Sequence, residues 1–369
     1  MFVGIAVAGV GFAMALQMGL NANFLADEMK VSGFELGALE AVRESCGIVA
    51  LGVLALLAGL AEPVVGMAVL ALVAVGISGY AFVPDYAWLV GVSVVWSQGL
   101  HVWMPLPNSM AMALAEPGRT GHRLGQVRSA GAAGAGAGLV AALALDAAGV
   151  PIRPMYVVAA GAALLAAAAC LGIPRRMRTP GPRLVFRRRY GLFYLLSFLE
   201  GWRKQIFVAF AGFLLVKRYG APLGHLLRLW IAIQVICWLA APLVGRLIDR
   251  VGERRVLVFY FAGLTLFFAG YAFIPDRRVL YALFVIDSSF FVFAMALQTY
   301  VNRIAPAAER TPTLSAGVAA NHVAAVAMPL VGGLLWKYMG YRWAFLIGAA
   351  AAAASVLAAL RVPPRAPDA

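Results

Sequence analysis

Long apolar stretches alternate with short polar breaks along the whole chain; the first, MFVGIAVAGVGFAMALQMGL, is followed by comparable runs to the end. A helix crossing a hydrocarbon core about 30 Å thick needs about 20 predominantly apolar residues. The pattern predicts twelve such helices, at 3–26, 35–60, 64–83, 87–113, 124–146, 153–173, 190–216, 223–247, 256–274, 279–303, 314–336 and 342–361. The breaks are rich in Gly, Pro and Asp, which stop helices and form turns. The first run lacks a basic leader and a small-residue cleavage site, so it is expected to be a retained span rather than a signal peptide.

The breaks repeat. GYAFVPD, from Gly79 to Asp85, returns as GYAFIPD, from Gly270 to Asp276, with 270 − 79 = 191 residues between them. Arg119-Thr120 and Arg310-Thr311 keep that interval, as do Leu139-Val140 and Leu330-Val331, while Pro174 and Pro363 stand 363 − 174 = 189 apart. An internal repeat of this length reads as two tandem copies of one unit. The expected organisation is a six-helix half at 1–173, a linker at 174–189, a second six-helix half at 190–361 and a tail at 362–369. The two heptapeptides are then equivalent ends of the third and ninth helices. Because six is even, both halves insert with the same polarity.

Composition puts the chain in a bilayer: 63% of residues are hydrophobic and 12% charged, against roughly 25% charged in a soluble domain. Of 30 Lys and Arg, 18 fall in the loops and tail on one side and 8 on the other, with Arg43, Arg203, Lys204 and Arg228 inside spans. Positive loops stay in the cytoplasm, so both termini are expected there, in a multi-pass protein of a bacterial inner membrane. The net charge of +14 is then a topology signal, and the linker PRRMRTPGPRLVFRRRYG faces anionic lipid heads rather than nucleic acid. Cys46, Cys170 and Cys237 are scattered, without metal-ligand spacing. A phosphate-binding loop, an HExxH pattern and an extramembrane domain are all missing, so neither an enzyme nor a cofactor is expected.

At the junction of the eighth and ninth helices the chain reads GRLIDRVGERR. Gly245, Asp249, Arg250, Gly252, Arg254 and Arg255 reproduce the loop signature of the major facilitator superfamily, which the chain resembles through its whole plan of two six-helix halves and a basic central linker. By its chemistry, Gly245 would allow close helix approach. Asp249 would accept from a helix N-terminus or pair with an arginine. The resemblance implies that Asp249 and Arg250 help latch one state of an alternating-access cycle, and that the first, fourth, seventh and tenth helices line a central path. The first-half counterpart of this loop departs from the signature: it reads AGLAEPVVG, with Glu62 and no basic residue.

Charges inside spans are costly in hydrocarbon and mark cavities or partners. On the seventh helix Glu200, Arg203 and Lys204 fall at i, i+3 and i+4, which places them on one face, about 15 Å deep at 1.5 Å per residue. Glu40, Arg43 and Glu44 repeat the arrangement on the second helix and would serve as a charge cluster between the halves. Asp287 on the tenth helix is the most isolated intramembrane carboxylate, and with Glu200 forms the expected coupling pair. Gln17 and Asn21 on the first helix, Gln98 and His101 on the fourth, and Asn321 and His322 on the eleventh could supply cavity hydrogen bonds. Pro105 and Pro107, beside Trp103, should bend the fourth helix. The glycines of RSAGAAGAGAG suit the fifth to tight helix packing.

These features point to secondary transport of a small polar solute, anionic or zwitterionic, coupled to protons or another ion and carried out by a monomer. Proton-driven efflux of drugs, or a nontransporting receptor or assembly factor on the same scaffold, are the alternatives.

Overall fold

A computed structural model describes residues 1–114, 120–177 and 186–364, and among them every regular element is a helix. The α-helices are α1 Phe2–Asn23, α2 Gly33–Leu56, α3 Glu62–Gly79, α4 Tyr86–Trp103, α5 Leu106–Ala113, α6 Thr120–Ala147, α7 Ile152–Ala169, α8 Gly191–Lys217, α9 Leu223–Val251, α10 Glu253–Phe273, α11 Arg277–Phe290, α12 Met295–Ile304, α13 Ala307–Met339 and α14 Tyr341–Ala359.

Among the described residues, ten segments are long and apolar enough to cross a membrane. Two of them are broken: α4 and α5 form one span, Tyr86–Ala113, and α11 and α12 another, Arg277–Ile304. The remaining spans, α2 and α8, have the length but each carries a central triplet of charges, Glu40, Arg43 and Glu44 or Glu200, Arg203 and Lys204. The twelve spans are those the sequence predicts, and α2 and α8 are the two that carry a charge triplet. The fourth breaks at Met104–Pro105, where proline removes a backbone donor; the tenth breaks without proline, in a tighter helical turn at Phe291–Ala294.

The chain forms two compact units. One comprises Met1–Val31, Val42–Pro182 and Pro222–Ile231, the other Ser32–Ala41, Arg183–Ala221 and Ala232–Ala369. Within the first, α1 packs on α6 and α7, and α3 on α4 and α7; within the second, α8 packs on α13 and α14, and α10 on α11 and α14. The same pairs of spans meet in each repeat.

The heptapeptide shows why the repeat is written there. Tyr80 and Tyr271 are fully buried; Tyr80 lies 4.8 Å from the ring of Tyr156 and Tyr271 stacks at 4.9 Å on Phe345. Asp85 accepts from the backbone N–H of Trp88 at 3.0 Å and so caps α4. Asp276 accepts from the N–H groups of Arg278 and Val279 at 2.8 and 3.0 Å and caps α11. Tyrosine anchors the end of one span and aspartate begins the next.

Small residues set helix spacing, since apolar side chains gain little by leaving lipid for one another. Gly134 and Gly138 of α6 leave no room for a Cβ against the backbone of Ala8 and Phe12 on α1, as the glycine-rich run predicts. Gly245 is different: nothing lies within 4 Å of where its Cβ would be, so it does not provide the close helix approach expected of it. The motif's other glycine, Gly252, has φ +81° and caps α10. A side chain would be strained in that conformation.

Candidate functional site

The buried chemistry of the second unit centres on α8. One helical turn places Arg203 Nη2 2.7 Å from Glu200 Oε1. From α10, the Tyr260 hydroxyl accepts from Arg203 Nη2 at 2.9 Å and donates to the same Glu200 oxygen at 2.9 Å. From α11, Asp287 Oδ1 lies 3.5 Å from Arg203 Nη1. The ring of Phe291, one turn beyond Asp287, sits 4.2 Å from the guanidinium carbon, a geometry in which a desolvated cation gains about 2 kcal/mol. Arg203, Asp287 and Tyr260 have no exposed surface and Glu200 has 6%.

The cluster is charge-rich and under-bonded. Glu200 Oε1 takes both hydrogen bonds, while Glu200 Oε2, both oxygens of Asp287, and Nε and Nη1 of Arg203 make none. Ionised groups buried away from water require pairing and hydrogen bonds to offset desolvation. Two carboxylates share one guanidinium here, and Asp287 is bound to it only by charge.

Two sequence expectations change. Lys204 is exposed and does not join Glu200 and Arg203; successive helical residues point 100° apart, so i+3 and i+4 share a broad face but not one partner. Asp287 is not isolated, because the end of α11 brings it to Arg203. Tyr260 and Phe291 were not foreseen. Phe291 follows Asp287 by one turn and was within reach of a helical reading, but Tyr260 lies 57 residues from its partner, with no local signal.

Other candidates divide by unit. In the second, Asn321 Nδ2 donates to the Ser197 carbonyl at 3.3 Å, beside Gly201, where α8 and α13 approach closely. His322, on the same helix, is half-buried. Glu40 is buried and belongs to this unit, whereas Arg43 and Glu44 belong to the first. There Arg43 lies 4.5 Å over the ring of Trp96, and Ser97 Oγ donates to its carbonyl at 2.9 Å. The ring of His101 is held at 2.8 Å by the Ser97 carbonyl of its own helix. Gln17 is buried, and Gln17 Nε2, Asn21 Oδ1 and Gln98 Nε2 have no hydrogen-bond partner among the described residues. They are uncharged groups with unused hydrogen-bonding capacity. Of the loop motif, Asp249, Arg250 and Arg255 are exposed and Arg254 is half-buried. The buried charge in that loop is Glu253, 3.2 Å from Arg303.

Residues 193–369 match the sequence profile of the Major Facilitator Superfamily. No curated protein matches the chain in sequence. Among solved structures, the nucleoside transporter NupG is similar in fold with a TM-score of 0.79 at 15% identity, covering 98% of each chain. The D-xylose-proton symporter gives 0.73 at 15% identity, over 98% of this chain and 97% of that one. The peptide transporter POT, in complex with sulfate, gives 0.77 at 13% identity, over 97% and 93%. Residues 193–369 thus match the Major Facilitator Superfamily in sequence, and nearly the whole chain shares the fold of these solved transporters.

Proposed function

We propose that the protein is a proton-coupled secondary transporter of small polar solutes, working by alternating access with both termini in the cytoplasm. The observation that carries this reading is the cluster of Glu200, Arg203, Tyr260 and Asp287: two carboxylates and one guanidinium, almost wholly withdrawn from water. With both carboxylates ionised it would hold a net negative charge, which is costly to bury. One proton makes it neutral. Glu200 accepts two hydrogen bonds, whereas Asp287 accepts none and is the carboxyl that carries the proton. Release then follows when Arg203 turns to Asp287 or water reaches it.

The same geometry narrows the solute. Arg203 is balanced by Glu200 and flanked by Asp287, and has no charge to spare for an anion. The free polar atoms of Gln17, Asn21 and Gln98 are neutral donors and acceptors. A neutral or zwitterionic solute fits them better than an anion.

The test is flux in proteoliposomes with an imposed pH gradient, over anionic, zwitterionic, neutral polar and amphipathic cationic solutes. The wild type should accumulate a neutral or zwitterionic solute. Asp287→Asn should lose accumulation and retain exchange of labelled for unlabelled solute. Undiminished accumulation by Asp287→Asn would remove the coupling role. Movement of amphipathic cations alone would favour drug efflux, and ligand binding without flux would favour a receptor.

A further inference from the structure

Glu62 and Glu253 open α3 and α10 and stand 253 − 62 = 191 residues apart, the interval of the repeat. Both are buried, with 1% and 5% of their surface exposed. Their surroundings answer the charge differently. Glu253 Oε2 lies 3.2 Å from Arg303 Nε, and Arg303 is tied by Nη2 to the Pro363 carbonyl at 2.9 Å. Counting back the same interval, 303 − 191 = 112, the position of Arg303 is taken in the first unit by Met112. Among the described residues Glu62 has one side-chain partner, the hydroxyl of Ser109, which donates to Oε1 at 2.5 Å. Its Oε2 makes no hydrogen bond.

Among the described residues, nothing else packed on α3 supplies a cation. α5 has no ionisable side chain. α4 offers His101, held by its own helix, and α7 offers Arg153, paired with Glu28. The turn after α7 offers the Cys170 thiol, close to Gly66 of α3. The Met177 carbonyl accepts the backbone N–H of Glu62 at 3.0 Å, and Arg175 and Arg176 just before it are exposed. A buried carboxylate without a counter-charge is avoided by keeping its proton.

We infer that Glu62 is a second proton-binding site, neutral at neutral pH, while its repeat counterpart Glu253 is paired with a cation. Ionisation passes the Oε2 proton to water, and water reaches that oxygen when the Ser109 helix draws away from the start of α3. α5 is joined to α4 only through the break at Met104–Pro105, so it can make that movement while α4 stays packed. Proton release from Glu62 is thereby linked to opening of this end of the unit, whatever solute is carried.

Infrared spectroscopy of the purified full-length protein tests this through the C=O stretch of protonated carboxyl groups, identified by its shift in deuterated water. Glu62→Gln should lose part of that band at neutral pH, and Glu253→Gln should lose none. Met112→Arg, at an exposed position, should remove the Glu62 contribution by supplying the missing cation. A band unchanged in Glu62→Gln, or equally reduced in Glu253→Gln, would overturn the assignment. A band unchanged in Met112→Arg would overturn the explanation by missing counter-charge.

Discussion

Arg203 and Lys204 are neighbours in the chain and opposites in environment: the first is fully buried against two carboxylates, the second is exposed. Substitutions at the two sites should therefore separate widely. Arg203→Met leaves Glu200 and Asp287 buried without their cation, a loss of about 3–5 kcal/mol. Lys204→Gln should stay within about 0.5 kcal/mol of the wild type. Combining Arg203→Met with Glu200→Gln and Asp287→Asn removes the unpaired charges and should recover most of the loss. Thermal unfolding in detergent checks all three, and a stable Arg203→Met single variant would show that the cluster is not held together by charge.

The internal repeat carried much of the architecture into the sequence, because each copy needs a buried tyrosine and a capping aspartate at the same place. The Glu200–Arg203 contact was legible for a similar reason, since one helical turn joins them. Contacts made across the fold were not. Asp287 is brought to Arg203 by the end of another helix, and Tyr260 by a third. The Gly245 reading failed because a motif position names a residue without stating what packs against it. The role inferred for Glu62 was hidden because it depends on a comparison between the repeats: Ser109 and Met112 take the positions where the other repeat has Tyr300 and Arg303.

The capping aspartates make a second prediction. Asp85→Ala should cost about 1 kcal/mol, the usual loss for a removed N-cap. Asp276 adds a pH dependence. The N–H groups of Val279 and Arg278 favour its ionised form and hold its carboxyl below the usual range. A carboxyl that is more acidic in the folded state contributes stability above its unfolded pKa, and that contribution is lost as pH falls through the folded value. Asp276→Asn, which keeps a capping side chain, should flatten this part of the acid limb of a thermal-midpoint profile; an unaltered limb would sink the assignment.

Glu309 makes a third. It accepts from Arg189, and from the Tyr190 hydroxyl at 2.7 Å, with Arg187 3.3 Å away. The bonds from Arg189 and then Tyr190 hold its carboxyl below the usual range. Its contribution also holds above the unfolded carboxylate value and disappears as pH falls through the lower folded one. Both arginines are more than half exposed, so salt should weaken the contact at neutral pH. In Glu309→Gln both the acid and the salt sensitivity of the midpoint should shrink together. Loss of only one would mean that the contact is not chiefly ionic.

Gly79 and Gly270 occupy equivalent helix ends but face partners of different stiffness. A Cβ on Gly79 would meet Val92 Cγ1 at 2.6 Å and Val92 Cβ at 3.0 Å, whereas one on Gly270 would meet Leu283 Cδ1 at 2.9 Å. Val92 and Leu283 are themselves 283 − 92 = 191 residues apart, so the repeat places the same contact in both units. Valine branches at Cβ and has little rotamer freedom in a helix; leucine can turn its far end aside. Both Gly→Ala substitutions overpack the contact, at about 1–3 kcal/mol, with Gly79→Ala the more costly. Adding Val92→Ala should relieve Gly79→Ala by more than Leu283→Ala relieves Gly270→Ala, and thermal unfolding of the two double-mutant cycles measures the difference. If Val92→Ala gives no relief, the cost at Gly79 lies in the backbone rather than in the α3–α4 contact, and the heptapeptide's glycine is retained for its turn instead of its packing.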